Sequence, residues 1–465
     1  MLDYDLGARG EKTLYEFLYQ RIRDDITEGA LGAGDRLPSK RSLAQHLGIS
    51  VITVEAAYQQ LVAEGYVASR PRSGFYVNAL PTVATPTRRV DVAAPCPASE
   101  PETNRSFMPS VARIWSRELR SALAQESESE LFSLTSAQGS LRLRRAIANH
   151  LRQTRGMEVD PACVVVGAGA QTLDNAIVQL LGHDLTYAVE DPGYLRLTHL
   201  YQANGVEVKH VGMDEQGVRP DELLDSGADV LHLMPSHQFP TGRVTSVARR
   251  YELLSWASAM NSTGERWLVE DDYDCEFRLA GRPVPALASI DAAGRVIYTN
   301  TFTKSLGGAL RLAYMVLPGQ LMERYGSELS FYSPTVGSVE QLTLARLLES
   351  GAYERHVARI RKRSREERDL LIGALRSSSV ADRIRVEEED SGLHFVLAIE
   401  TVRGESEVAD VVSDDVRAML PLSQFAWEPK NGVSADGRRR FVIQYEGRTE
   451  QQIDAFVCAL EKAVV

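Results

Sequence analysis

Trp267-Leu268-Val269-Glu270-Asp271-Asp272-Tyr273-Asp274 is a short apolar run that ends in a cluster of carboxylates, and downstream of it stands Thr301-Phe302-Thr303-Lys304-Ser305-Leu306. An apolar run bounded by polar residues predicts a buried strand, here Trp267 to Glu270. From about Val111 onward, helical stretches alternate with further runs of this kind at Cys163 to Val166, Thr186 to Val189, Val230 to Met234 and Val296 to Thr299. That alternation predicts an α/β domain with a largely parallel sheet. Ligands of such sheets sit at the carboxyl ends of strands. The chemically suggestive residues all fall there: Gly167-Ala168-Gly169-Ala170-Gln171, Glu190-Asp191-Pro192-Gly193-Tyr194, His237-Gln238-Phe239-Pro240-Thr241-Gly242 and the carboxylate run itself.

A carboxylate, a phenol and a lysine at strand ends are what pyridoxal phosphate requires. Its ring is an electron sink while the pyridine nitrogen stays protonated, so the site needs a buried carboxylate there, a phenol near the ring oxygen and a lysine for the Schiff base. Asp271, Tyr273 and Lys304 have those groups. The Gly167–Gln171 turn opens a helix whose bare N–H groups suit a phosphate, and Tyr194 offers a flat stacking surface. Singly, each has a plainer reading: a small-residue turn before a helix is commonplace, HQFPTG is a proline and glycine turn, and a lone lysine belongs on the surface. Their order along one chain favours the cofactor.

The first eighty residues have a different texture. Leu14, Phe17, Leu18, Ile22 and Ile26 share one helical face, with Gly29 and Gly32 after it. Pro38-Ser39 starts a short helix through His46, Gly48 breaks it, and Ser50 caps a third helix to about Glu64. Val67 to Ser69 and Phe75 to Val77 supply two strands of a wing around Gly74. Burying Val54, Tyr58 and Leu61 turns Ile52, Thr53, Ala56 and Gln59 outward, toward a DNA groove. From Arg36 to Val77 five basic residues (Arg36, Lys40, Arg41, Arg70, Arg72) stand against two acidic ones (Glu55, Glu64). With Ser39, Ser50 and Gly74 they form the expected phosphate-facing set.

The whole chain of 465 residues has a net charge of −11, which argues against non-specific coating of nucleic acid and leaves room for a small basic face. Four scattered cysteines, Cys96, Cys163, Cys275 and Cys458, indicate neither a zinc site nor a disulfide framework. The amino terminus has no apolar leader, and no stretch stays uncharged over the roughly eighteen residues a membrane span needs, so a cytoplasmic location is expected. Between Asn78 and Pro109, prolines 81, 86, 95, 97, 101 and 109 predict an extended spacer. The expected division is a winged helix over 1–78, a linker over 79–109 and an α/β body over 110–465, its large domain to about 330 and its small domain beyond. In the latter, Ser391 to Phe395 is expected as a strand, His394 as structural, and the basic run Arg355 to Arg368 as a solvated helix face, with DNA contact as the lesser alternative.

GDRLPSKRSLAQHLGIS followed by TVEAAYQQLVAEGYVASRPRSGFYV closely resembles the GntR-family winged helix over residues 12 to 77. Relatives commonly place an arginine and a polar residue where this chain has Val51 and Ile52, which implies a different operator. The ordered motifs of the body resemble the fold-type I aminotransferases, and the combination resembles the MocR subfamily of transcriptional regulators. The resemblance implies Lys304 as the Schiff-base lysine and Asp271 at the pyridine nitrogen. It places Tyr273 at the ring oxygen, Tyr194 on the ring, Ala168, Gly169, Thr301, Thr303 and Arg311 around the phosphate, and Gln238 or His237 where relatives have an asparagine. It also implies effector contacts from Arg196, His237 and Arg448.

Departures bear on turnover. Gly308-Ala309 replace a proline and glycine, Leu134 stands near a tyrosine that reaches across the dimer in relatives, and Gly447 takes the place of a substrate-carboxylate arginine, with Arg448 one residue out of register. The expected function is a homodimeric, PLP-dependent regulator that binds paired half-sites of operator DNA and senses an amine or amino acid through exchange at Lys304. A working aminotransferase with an appended head, and a repressor for which PLP itself is the signal, are the alternatives.

Overall fold

The computed structural model describes residues 2–10, 12–80, 109–259, 264–279, 284–390, 392–412, 419–428, 436–445 and 447–464. The chain divides into two compact units, Met1–Ala98 and Ser99–Val465. The expected linker lies outside the described residues except at its ends.

In the first unit, helix Leu14–Thr27 starts at a capping box in which the Glu16 carboxylate accepts from the Thr13 N–H at 3.0 Å. Helix Lys40–Leu47 is capped by Ser39 and stops at Gly48, whose φ of 66° is the left-handed conformation that glycine adopts without penalty. Ser50 caps helix Val51–Ala63 by accepting from the Thr53 N–H. Strands β1 (Val67–Arg70) and β2 (Gly74–Val77) pair antiparallel, Val67 opposite Val77 and Arg70 opposite Gly74. Leu18, Ile22, Val54, Tyr58, Leu61 and Val67 form the common core, each contributing roughly 1.5–3 kcal/mol on burial. The Tyr58 hydroxyl donates to the Pro38 carbonyl, so this core holds a polar atom without leaving it unpaired.

The second unit is built on a large mixed sheet of β3 (Val164–Gly167), β4 (Thr186–Asp191), β5 (Glu207–Asp214), β6 (Gly217–Val218), β7 (Val230–Leu233), β8 (Trp267–Asp271), β9 (Val296–Thr301) and β10 (Ala313–Val316). Their order is β3-β10-β9-β8-β7-β4-β5-β6. From β9 across to β5 the strands run parallel, as the alternation predicts; β10 is antiparallel to both its neighbours and β6 to β5. Successive residues feed opposite cores. Trp267 and Val269 face one and Leu268 the other, while Val165 is separated in the same way from Val164 and Val166. A sheet covered on both faces needs apolar residues at every position, hence the unbroken runs in the sequence.

A smaller antiparallel sheet follows, of β11 (Ile384–Glu387), β12 (His394–Ile399), β13 (Met419–Pro421) and β14 (Arg439–Gln444), ordered β11-β12-β14-β13. Of the expected strand, Ser391 lies outside the described residues, Gly392 turns with φ of 75°, and pairing starts at His394. Helix Ala352–Arg376 joins the two parts of this unit: Tyr353 and Val357 belong to a core of the large sheet, Leu371 and Leu375 to that of the small one. Its basic run is not simply solvated. Arg361 donates to the Glu276 carbonyl at 2.9 Å, Arg365 to that of Leu279 at 2.5 Å, and Arg368 pairs with Asp390.

Candidate functional site

Strand ends β4, β7, β8 and β9 open into a cavity of about 730 Å³. Of the residues expected around a cofactor, Tyr194, Asp271, Tyr273, Thr301, Thr303, Lys304 and Arg311 all line it, with the expected effector contact Arg196. Asp271 is the last residue of β8, opposite Thr299, and Thr301 is the last of β9 two residues further on, so neighbouring parallel strands deliver both to one rim. Lys304 lies in the short helix Thr303–Leu306 just beyond, its Nζ 5.9 Å from the centre of the Tyr273 ring.

One end of the cavity is cationic. Arg311 is in the left-handed conformation (φ 48°), and its guanidinium makes no hydrogen bond or ion pair with any described residue. Its guanidinium lies so close over Gly169 that a β-carbon there would stand 2.5 Å from Nη2. Gly169, at φ 89°, also begins helix Ala170–Leu181 with no side chain capping the free N–H groups. Uncapped donors beside an unpaired guanidinium form a phosphate-sized anion site. The Thr301 and Thr303 hydroxyls, 2.7 Å apart, line the same cavity. Here the structure shifts the expectation by two residues. The Ala168 N–H is already bonded to Thr335 Oγ1 at 3.1 Å, and Ala170 and Gln171 reach the cavity instead.

Another part of the wall is acidic, with Asp174 and Asp271 in it. The Tyr273 hydroxyl is buried without a hydrogen-bond partner, as are Glu190 Oε1, Asp274 Oδ2 and His232 Nε2. Burial, reinforced by the Asp274 and Asp271 charges, pushes the Tyr273 phenol well above its ordinary range, so it stays a donor. An orphaned phenol, a carboxylate and a lysine around one cavity, with an anion cradle at its far side, fit the pyridine ring, ring oxygen and phosphate of PLP. Tyr194, with Arg196 over its face at 5.6 Å and Phe239 at its edge, walls the cavity.

Besides Ala168 and Gly169, three expected residues are not among those that line the cavity. Gln238 is fully buried and committed: its Oε1 accepts from the Thr241 N–H and hydroxyl, and its Nε2 donates to the Pro192 carbonyl at 2.9 Å. His237 is paired with Asp274 at 3.0 Å, against Gly392. Arg448 folds back so that its guanidinium lies 4.7 Å from the Phe456 ring centre, and Gln444 at the end of β14 lines the cavity instead. The sequence reading missed Gln444 and the small-sheet residues Leu420 and Phe425, which close the wall. It also missed Trp115 and Asp174, on helices Pro109–Gln125 and Ala170–Leu181. His394, held by the Pro240 carbonyl, is pushed down to about 4 mainly by burial, and stays neutral.

In the first unit, Arg36, Ser39, Arg41, Ser50, Arg70 and Arg72 are exposed, and Ile52 is 78% exposed on the helix that Ser50 caps. Thr53 is engaged with the Ser50 hydroxyl. Lys40 is paired with Glu55 at 2.5 Å, which joins the two helices and takes part of the expected positive charge. Arg70 lies over the Tyr76 ring, Arg36 packs against Gly74, and Arg72 occupies the wing turn at φ 62°.

Residues 14–77 match the bacterial regulatory proteins of the gntR family, and residues 103–457 match aminotransferase class I and II. The chain is 32% identical over 98% of its length to the HTH-type transcriptional regulator YhdI of Bacillus subtilis, covering 97% of that protein. It is 31% identical to the probable rhizopine catabolism regulatory protein MocR of Rhizobium meliloti, over 84% of this chain and 83% of that one. Among solved structures, an archaeal alanine:glyoxylate aminotransferase superposes with a TM-score of 0.65 at 19% identity, over 77% of this chain and 88% of that one, a likeness of fold. A gntR-type DNA-binding head followed by an aminotransferase-like body over nearly the full length of these relatives has one reading: the chain belongs to the MocR-type HTH transcriptional regulators of the gntR family.

Proposed function

We propose that the body binds pyridoxal phosphate at Lys304 and senses an amine or amino acid there, and that occupancy alters how a homodimer engages paired half-sites of operator DNA in the cytoplasm. The observation that carries this is the convergence of Lys304, Asp271 and the orphaned Tyr273 hydroxyl on a cavity whose far side is the Arg311 and helix cradle. When bound, the cofactor supplies an aldehyde that condenses reversibly with amines. In this reading Asp271 holds the ring nitrogen's proton and Tyr273 donates to the ring oxygen. Arg311, Thr301, Thr303 and the N–H groups of Ala170 and Gln171 hold the phosphate, and Tyr194 lies on the ring. Arg196, unpaired among the described residues, takes an effector carboxylate. Gly447 and the turned-away Arg448 leave Arg196 and the phosphate-side Arg311 as the arginines of the cavity wall among the described residues, with none at the usual substrate-carboxylate position, which favours sensing over turnover.

A ligand shifts regulation only by as much as it binds the two states differently. The test is to titrate cofactor-free wild type and Lys304→Ala with PLP, then with a panel of amines, following absorbance and keto-acid release. In parallel, anisotropy is read on a DNA duplex selected by the wild-type protein. A stable spectral change with altered DNA affinity, absent from Lys304→Ala, is the expected result. Sustained keto-acid release with unchanged DNA affinity would make this chain an enzyme.

A further inference from the structure

Next to Asp271, outside the cavity wall, lies a histidine that neither the motifs nor the fold drew attention to. His232 sits in the middle of β7, 2% exposed, its Nε2 3.9 Å from Asp271 Oδ2. Its Nδ1 is 2.7 Å from the Tyr201 hydroxyl, which is itself fully buried on helix Leu195–Ala203. Burial and the neighbouring acidic charges keep Tyr201 a phenol, with a proton to give. Given to Nδ1, that proton forces the neutral imidazole into the tautomer with hydrogen on Nε2; if the ring is charged, Nε2 is protonated as well. In both states an N–H faces Asp271. Yet Nε2 is buried with no hydrogen-bond partner, a cost of about 1–3 kcal/mol that a native fold seldom carries without a use.

The groups facing His232 come from every packed element: Asp174 from helix Ala170–Leu181, Glu190 from β4, Asp271 from β8, and Tyr201, with the Tyr187 ring tilted against it at 4.8 Å. Burial works to discharge the imidazole, and the three carboxyl groups outweigh it, so its affinity for a proton is raised. Burial pushes Asp174 and Glu190 up to about 7. Crowding of carboxyl groups at one buried place makes a directed donor valuable.

We propose that His232, set in one tautomer by Tyr201, is a positioning residue that presents its Nε2–H to Asp271 and fixes the carboxylate against which the cofactor's pyridine nitrogen rests. The inference depends on PLP binding as proposed above. His232 touches neither cofactor nor effector; it acts through Asp271, and closing the 3.9 Å gap by about 1 Å completes a charge-assisted bond.

The experiment compares wild type, His232→Phe, His232→Gln and Tyr201→Phe, each freed of cofactor and reloaded. Two quantities are read: the PLP dissociation constant and the pH midpoint of the bound cofactor's absorbance. A pyridine nitrogen held less firmly in its protonated form withdraws less charge, so the proton at the Lys304 nitrogen is bound more tightly and the midpoint rises. His232→Phe is expected to weaken PLP binding about 10-fold or more and raise the midpoint by about one unit. His232→Gln, whose amide keeps a donor near Nε2, is expected to restore most of both. Tyr201→Phe keeps the ring packing and frees the tautomer, so it is expected to shift the midpoint in the same direction by less. Its near-native shape keeps the test informative if His232→Phe fails to fold. PLP-loaded variants that bind and titrate like wild type overturn the role of His232 alone; a wild type that takes up no PLP overturns the parent reading with it.

Discussion

The head and the body solve opposite problems with their polar groups. In the head, the arginines of the wing and the short helix, with the exposed Ile52, point outward, and its core leaves the Tyr58 hydroxyl paired. In the body, Tyr273 Oη in the cavity wall, and Glu190 Oε1, Asp274 Oδ2 and His232 Nε2 buried nearby, have no hydrogen-bond partner. A surface that meets DNA can leave its donors to water until the phosphate arrives, at little cost. A buried site cannot, so the Tyr273 hydroxyl in the cavity wall is a standing penalty that a ligand of complementary shape removes. The difference teaches that the head is complete as folded, whereas the body is finished by what it binds.

The sharpest way to break that comparison is to damage the body and ask whether the head notices. Asp272, buried beside the cavity, pairs with Arg155 at 2.9 Å and accepts from Tyr298. Asp272→Leu strands the guanidinium and is expected to cost the body about 3–5 kcal/mol. Urea unfolding followed separately in each unit checks this; a head transition that moves by the same amount would show that the two are not energetically separate.

A second route uses pH. Burial pulls the His150 imidazole down, but Glu276 and Glu354 outweigh it and hold it at about 9, above its usual 6.5. A raised value means stability that is fully present below about 6.5 and lost as the pH climbs through 9, roughly 3 kcal/mol in all. Body stability is expected to fall between pH 7 and 9.5 in wild type and to stay nearly flat in His150→Gln, with the head indifferent in both. Thermal melts across that range decide.

Arg311→Gln tests the cavity's cationic end. Loss of a charged donor to the phosphate is expected to weaken PLP binding about 10- to 100-fold, while DNA binding by the cofactor-free protein stays unchanged. The smallest effect belongs to the head: Ser50→Ala removes the cap of helix Val51–Ala63 and is expected to cost about 1 kcal/mol, seen as a lower melting temperature of the head only.

The same contrast explains what the sequence discloses. The head's caps, glycine stop and wing are local, each decided within a few residues, so Ser39, Gly48, Ser50 and Gly74 announce their roles. The body's motifs are legible at strand ends because parallel strands bring Asp271, Thr301 and Tyr194 to one rim. What escapes notice depends on packing between distant segments. β10 is a short strand that follows directly on Arg311, and nothing local says that it runs antiparallel between β3 and β9. Arg448 looks available for a ligand until helix Glu450–Val464 offers it Phe456, and Gln444 takes the position instead. His232 hides in an apolar run where strand alternation alone gives it no partner; Tyr201 and Asp271 stand far from it along the chain.

Helix Ala352–Arg376 carries a mechanical consequence. Its first turn is bonded to the segment next to Lys304, through Tyr353 to the Ser305 hydroxyl at 2.8 Å and His356 to the Ser305 carbonyl at 2.8 Å. Twenty-five residues make a rod of about 37 Å, and a rod turns angles into distances. A tilt of about 5° at the Ser305 end displaces the far end, which packs Leu371, Ile372 and Leu375 into the small-sheet core, by about 3 Å. Displacements that would be lost in thermal noise at the lysine become, one helix away, larger than the spacing between packed side chains can ignore.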